Sequence, residues 1–246
     1  MHTEVTTALT HRELAQLIGI QAESVSHRGS RSLNADAVGA YTDIARGRSA
    51  FVVADGIGDH LLAVRAARTA AATAAHASAA CGAVAGILAA QQELTRQFPQ
   101  AKADCVLVVA VLPAPEYPDI PCDIAWVGDC RAYRWNGRVL HQITTDHTVA
   151  EALSSRGIRP TARMGHLVTT SVRTVTPEEI GHATTGTSSG RFLLASDGAH
   201  KPLTMAAIRD VLAAAETPGA AAASLTDGAL RAGGTDNTTA LVLDRA

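Results

Sequence analysis

The chain has 246 residues, 47% hydrophobic, 3% aromatic and 18% charged, with a formal net charge of −2. That length fits one domain with a sizeable core, and with no long basic run the sequence lacks the electrostatic footprint of a nucleic-acid binder. Met1 to Val5 has no basic region leading into an apolar one, and no uncharged apolar run reaches the ~18 residues of a membrane span, so a cytoplasmic protein with no membrane partner is expected.

Thr10-His11-Arg12-Glu13 has the capping-box form, with Leu14, Leu17 and Ile18 on one face, and predicts a short helix within an N-terminal extension over 1–19. A strand over 20–26 runs into a polar loop that places Arg31 near Asp36. A second strand, 37–44, turns at Arg46-Gly47-Arg48 into an apolar run ending at Asp55, and the hairpin brings Asp36 and Asp55 within reach. His60 reads as a helix-start residue. The alanine-rich stretch 61–94 reads as two helices broken at Cys81-Gly82, with His76 packed or at the surface. Strands over 104–112 and 123–127 flank a proline-rich loop, and Asn136-Gly137 between apolar runs signals a hairpin. Cys81, Cys105, Cys122 and Cys130 lack CxxC spacing and read as reduced core residues. Thr148 and Glu151 form a second capping box, Asp146 reads as a helix-start residue, and 154–164 as an exposed flap. The segment 166–175 is strand-like, and 191–196 is a strand delivering Asp197. Helices near 205–215 and 220–231 lead to Asp236 and a closing strand over 239–244. Strand runs separated by helical pairs predict sheet layers covered by helices.

One construction recurs along this order: an apolar or glycine-rich run stops at an aspartate beside Gly or Asn, at Asp55-Gly56, Gly128-Asp129, Asp197-Gly198 and Asp236-Asn237. Singly each is a turn signal; four in one domain suggest carboxylates converging on one spot. The glycine at 56 lets the backbone approach closely enough for its carbonyl to become a ligand. Asp36, Asp55, Asp197 and Asp236 in one cleft repel one another unless cations intervene. All-oxygen ligation selects Mg or Mn before zinc. Two such ions sharing a carboxylate activate a water and stabilise a phosphoryl group in transfer, while an arginine, here Arg31, grips its oxygens. The parts describe a phosphate-ester hydrolase.

Six segments carry a family resemblance: Arg31 to Asp36, Val53 to His60, Val127-Gly128-Asp129-Cys130-Arg131-Ala132-Tyr133, Thr144 to Thr148, Leu194 to Gly198, and Gly233 to Thr239. In that order, across about 20–244, they resemble the bacterial-type metal-dependent serine/threonine protein phosphatases of type 2C, the PPM family. The resemblance implies an α+β fold, a four-layer α-β-β-α sandwich of two packed antiparallel β-sheets flanked by helix pairs, with 20–246 as a single phosphatase catalytic domain. It implies two Mn2+ or Mg2+ ions held by Asp36, Asp55, the Gly56 carbonyl, Asp197 and Asp236, with Asp55 bridging, and a substrate phosphate held by Arg31. Asp129 matches a possible third metal ligand. The implied activity is hydrolysis of phosphoserine and phosphothreonine in proteins, targets of a serine/threonine kinase, by direct attack of a metal-bridging hydroxide.

The departures from the family pattern are specific. Ala35 stands where Glu or Gln is common, Asp59 replaces a glycine, and Cys130 replaces a serine. Ile57 stands where eukaryotic relatives carry a histidine proposed as general acid, which leaves protonation of the leaving serine to water. Lys201, four residues after Asp197, falls where an aspartate often completes the third metal site with Asp129, and argues against that site. Two other readings stay open: a catalytically weak relative acting as a phosphoprotein-binding regulator, and a hydrolase of small phosphate esters.

Overall fold

The computed structural model describes residues 19–99, 102–114, 116–117 and 119–245; the helix expected over 10–18 lies outside them. Among the described residues ten strands are formed: β1 Ile20–His27, β2 Asp36–Asp43, β3 Arg48–Gly56, β4 Cys105–Pro113, β5 Asp123–Val127, β6 Arg131–Trp135, β7 Leu140–Gln142, β8 Gly181–Thr184, β9 Gly190–Ala195 and β10 Thr238–Arg245. They make two five-stranded sheets, β1-β10-β9-β6-β7 and β2-β3-β4-β5-β8, in which every pair is antiparallel. The helices are α1 Leu61–Cys81, α2 Ala83–Gln97, α3 Val149–Ser154, α4 Asp197–His200, α5 Met205–Ala214 and α6 Pro218–Arg231.

Burial explains the layering. Every residue of β4, Cys-Val-Leu-Val-Val-Ala-Val-Leu-Pro, is buried, because one face meets α1 and the other the opposing sheet; a strand covered on both faces reads as a continuous apolar run. Alanines of α1 (Ala67, Ala70, Ala74) pack on Val52 and Val109 of one sheet. Phe51, Val108, Phe192 and Leu243 fill the space between the sheets. Ile208 and Leu212 of α5 and Leu225 of α6 close the other side against Leu193 and Val242. The result is the four-layer α-β-β-α sandwich. Gly82, at φ +96, separates α1 from α2, a conformation that favours glycine. No described helix is long and apolar enough to cross a membrane.

Two elements differ from expectation. The segment 166–175 is no strand; its one ladder contact is an isolated bridge between Thr148 and Val168. Asp104 instead gathers the Ser171 hydroxyl at 2.5 Å and the Arg173 N–H at 3.1 Å, while the Arg173 guanidinium donates to the carbonyls of Leu94 and Phe98. Side-chain bonds to neighbouring backbone compete with a ladder, and the apolar alternation reflects Val172 and Val175 plugging into the core. Conversely, β8 has only four half-exposed residues and no apolar run to announce it; it pairs with the edge of β5, where His182 Nε2 lies 2.7 Å from Asp123 Oδ1.

Candidate active site

The β2–β3 hairpin sets Asp36 directly opposite Asp55. The other sheet supplies Asp197, which follows β9 and opens α4, and Asp236, which precedes β10, while Asp129 sits in the turn between β5 and β6 that joins the two sheets. Asp55, Gly56, Asp129, Asp197, Asp236 and Arg31 line one cleft of roughly 130 Å3. Asp36 lies beneath it, 7% exposed, with Oδ2 accepting from the Ser196 hydroxyl at 2.7 Å. A Cβ on Gly56 would stand 2.5 Å from the Ala63 carbonyl, so only glycine lets the end of β3 pass the first turn of α1.

Electrostatics mark this cluster as strained without cations. Burial, reinforced by Asp197 and Asp236, pushes the Asp36 carboxyl up to about 7. Burial and the charges of Asp36 and Asp197 push Asp55 well above the usual carboxylate range. Burial and Asp197 raise Asp129. Asp197 runs the other way: burial opposes its charge, but the Lys201 ammonium outweighs it and holds the carboxyl below its ordinary value. Both ends of the Lys201–Asp197 pair are therefore ionised at neutral pH.

Two basic side chains reach into the cluster. Lys201 Nζ lies 2.6 Å from Asp129 Oδ2 and 2.9 Å from Asp197 Oδ2. Arg31 Nη2 lies 2.6 Å from Asp236 Oδ2. Among the described residues no three His, Cys, Asp or Glu side chains stand close enough to close around one ion, in keeping with these carboxylates being drawn to Lys201 and Arg31. The donor set still fits hard cations. Asp36 Oδ1 and Asp197 Oδ1 are buried without a hydrogen-bond partner, and an unpartnered buried carboxylate oxygen is costly unless a cation takes it.

Several residues that sequence reasoning passed over hold this geometry. Asn237 braces the Arg31 loop from three sides: Nδ2 donates to the carbonyls of Arg28 (2.7 Å) and Leu33 (2.8 Å), and Oδ1 accepts from Ala35 N (2.7 Å). Its only sequence signal is its place in Asp236-Asn237. Asp59 accepts from the N–H groups of Ser32 and Leu33, both at 3.0 Å, which gives this departure a role in the same loop. Ala35 and Cys130 are buried in apolar packing, and Ile57 stands at the cleft mouth, 39% exposed. His166, at the end of the turn Ala162–His166 that closes the flap, lines the cleft with Nδ1 3.8 Å from Asp197 Oδ2; read as the first residue of a strand, it gave no warning of this. His60 caps α1, its Nδ1 accepting from Ala63 N. Asp146 is not the helix start, since Thr148 caps α3; it clamps Arg131 bidentately at 2.7 and 2.8 Å.

Solved structures share this fold over nearly the whole chain. PppA of Pseudomonas aeruginosa, described as a key regulatory component of T6SS, is 27% identical over 92% of this chain and 97% of its own, with a TM-score of 0.73. The PPM Ser-Thr phosphatase MsPP of Mycobacterium smegmatis, solved with cacodylate, is 27% identical over 92% and 98%, with a TM-score of 0.72. The catalytic domain of the serine/threonine protein phosphatase PstP, solved with two manganese ions, is 25% identical over 92% and 97%, with a TM-score of 0.76. The chain has the PPM-type phosphatase fold. No protein-family model and no curated protein matches the sequence. In this PPM-type fold five of the six motifs put residues on the cleft, the sixth, Thr144 to Thr148, holds the Asp129 turn from behind through His147 N on the Gly128 carbonyl, and Lys201 fills the space between Asp129 and Asp197.

Proposed function

We propose that the chain is a metal-dependent phosphoprotein phosphatase that hydrolyses phosphoserine and phosphothreonine. The observation that carries the reading is the pair of buried, unpartnered oxygens, Asp36 Oδ1 and Asp197 Oδ1, beside Asp55 in a cleft rimmed by Arg31. Asp36, Asp55, the Gly56 carbonyl, Asp197 and Asp236 would hold two Mn2+ or Mg2+ ions. Bound there, the ions supply a water acidic enough to attack at neutral pH and a sink for charge on the phosphoryl oxygens, with no covalent enzyme intermediate. Arg31 binds and orients the phosphate; with one donor on Asp236, its fork keeps N–H groups for the substrate. Ile57 offers no proton at the rim, so the leaving oxygen takes its proton from solvent. Residues 20–246 act as one catalytic domain on cytoplasmic targets of a serine/threonine kinase.

A second reading, a phosphoprotein-binding regulator with little turnover, draws support from Lys201, whose ammonium already occupies one oxygen each of Asp129 and Asp197. One assay separates the two and a third, hydrolysis of small phosphate esters: an aryl phosphate and a phosphothreonine peptide with Mn2+, then with chelator. Metal-dependent release from the peptide supports the phosphatase. Binding without release supports the regulator, and release from the aryl ester alone points to a small-ester hydrolase.

A further inference from the structure

An ammonium has three N–H donors and no acceptor, and all three on Lys201 are used: Asp129 Oδ2 at 2.6 Å, Asp197 Oδ2 at 2.9 Å and the Gly165 carbonyl at 2.8 Å. The side chains of Lys201, Asp129 and Asp197 are only 18%, 5% and 13% exposed, so these charge-assisted bonds are poorly screened by solvent. The first two acceptors belong to the cleft floor. The third, on Gly165, belongs to the turn Ala162–His166 that closes the flap. Elsewhere the flap is tied down at its base, where Val149 N donates to Leu167 O and Thr169 N to His147 O, while Arg156, Arg159 and Arg163 near its tip are exposed. Beside the latch point, His166 lines the cleft.

We propose that Lys201 is a positioning residue, a built-in cation between Asp129 and Asp197 that latches the flap to the cleft floor through the Gly165 carbonyl, whatever the concentration of free metal. It holds His166 at the mouth of the cleft, so the flap is set before any ion or substrate arrives. The proposal rests on the phosphatase reading only in expecting an ion and a substrate in this cleft, and its test needs no turnover.

The test is limited trypsinolysis of the full chain at Arg156 and Arg163, in chelator and with added Mg2+; Arg68, exposed on α1, reports global loosening. Wild-type flap cleavage should be slow and the same in both conditions. Lys201→Met, which keeps the stem and removes the charge, should be cut about 10- to 100-fold faster at the flap, the range for losing a charge-assisted bond, with Arg68 unchanged. Mg2+ should slow that cleavage, since Asp129 is then free for an ion, and Lys201→Arg should restore protection. Lys201→Met cut at the wild-type rate overturns the latch, as does wild-type cleavage slowed more than tenfold by Mg2+. If Lys201→Met loosens everywhere, amine acylation of the wild type decides. The sequence has two lysines, and Lys102 is exposed: Lys201 should react far more slowly, and equal rates overturn the proposal.

Discussion

Asp36 shares the cost of the cleft with Asp55 and Asp129. It is buried, one oxygen is bonded to Ser196 and the other has no partner, and its carboxyl is pushed up to about 7. A carboxyl whose pKa is higher folded than unfolded contributes stability at low pH and loses it as pH rises from the ordinary value through the folded one. For Asp36 that window runs from 3.8 to about 7. Buried His200, lowered to about 4, has the opposite slope up to its ordinary value, so it offsets Asp36 over most of that range. Two expectations follow for the metal-stripped protein. Asp36→Asn should raise its stability by about 1–2 kcal/mol at pH 8, as a buried charge is removed while a hydrogen-bonding side chain stays; chelated melts that show a loss instead would contradict this account of Asp36. Mn2+ affinity should climb between pH 5 and 8, because binding displaces protons held by Asp36 and Asp55, and a calorimetric titration with a flat pH profile would remove these carboxylates from the ligand set. At the rim, Arg31→Ala should lower kcat/KM by about 10- to 1000-fold with metal binding intact, the range for a lost charge-assisted contact.

At the scale of elements, the parts that were legible in the sequence obey local rules. The β2–β3 hairpin follows from a polar turn between two apolar runs, and its register alone fixes Asp36 against Asp55. The Asp-Gly endings at 55 and 197 were visible because apolar strands stop at them. What stayed hidden depends on segments meeting through side chains. Asn237 reaches Arg28, Leu33 and Ala35 across about two hundred residues, and Lys201 meets Gly165 only because the flap folds back. The 166–175 segment misled because buried Val172 and Val175 mimic strand spacing while Asp104 holds the backbone in turns. Asn237→Ala should therefore cost about 2–4 kcal/mol, since it leaves one buried N–H and two carbonyls unpaired, and should lower kcat/KM by releasing the Arg31 loop. Denaturant melts and kinetics on the same preparation check both; an unchanged kcat/KM would mean that Arg31 is positioned by other contacts.

For the whole molecule, the cleft lies where the two sheets meet. One sheet contributes Asp36 and Asp55, while Asp197 and Asp236 come from the ends of strands in the other. Ions bound among them would join the two halves of the sandwich. Any ligand bound only by the folded state stabilises it by mass action, about 2.7 kcal/mol at a hundredfold excess over Kd, so Mn2+ should raise the melting temperature, and Asp55→Asn should erase that rise while leaving the fold formed. The measurement closest to the central claim is phosphate release from a phosphothreonine peptide by metal-stripped protein as Mn2+ is added back. Release should appear with Mn2+, saturate once two ions per chain are bound, and vanish in Asp55→Asn. Turnover that survives chelation or the Asp55→Asn change, or two bound ions with no turnover at all, would contradict the assignment of this cleft as a metal-dependent phosphatase site.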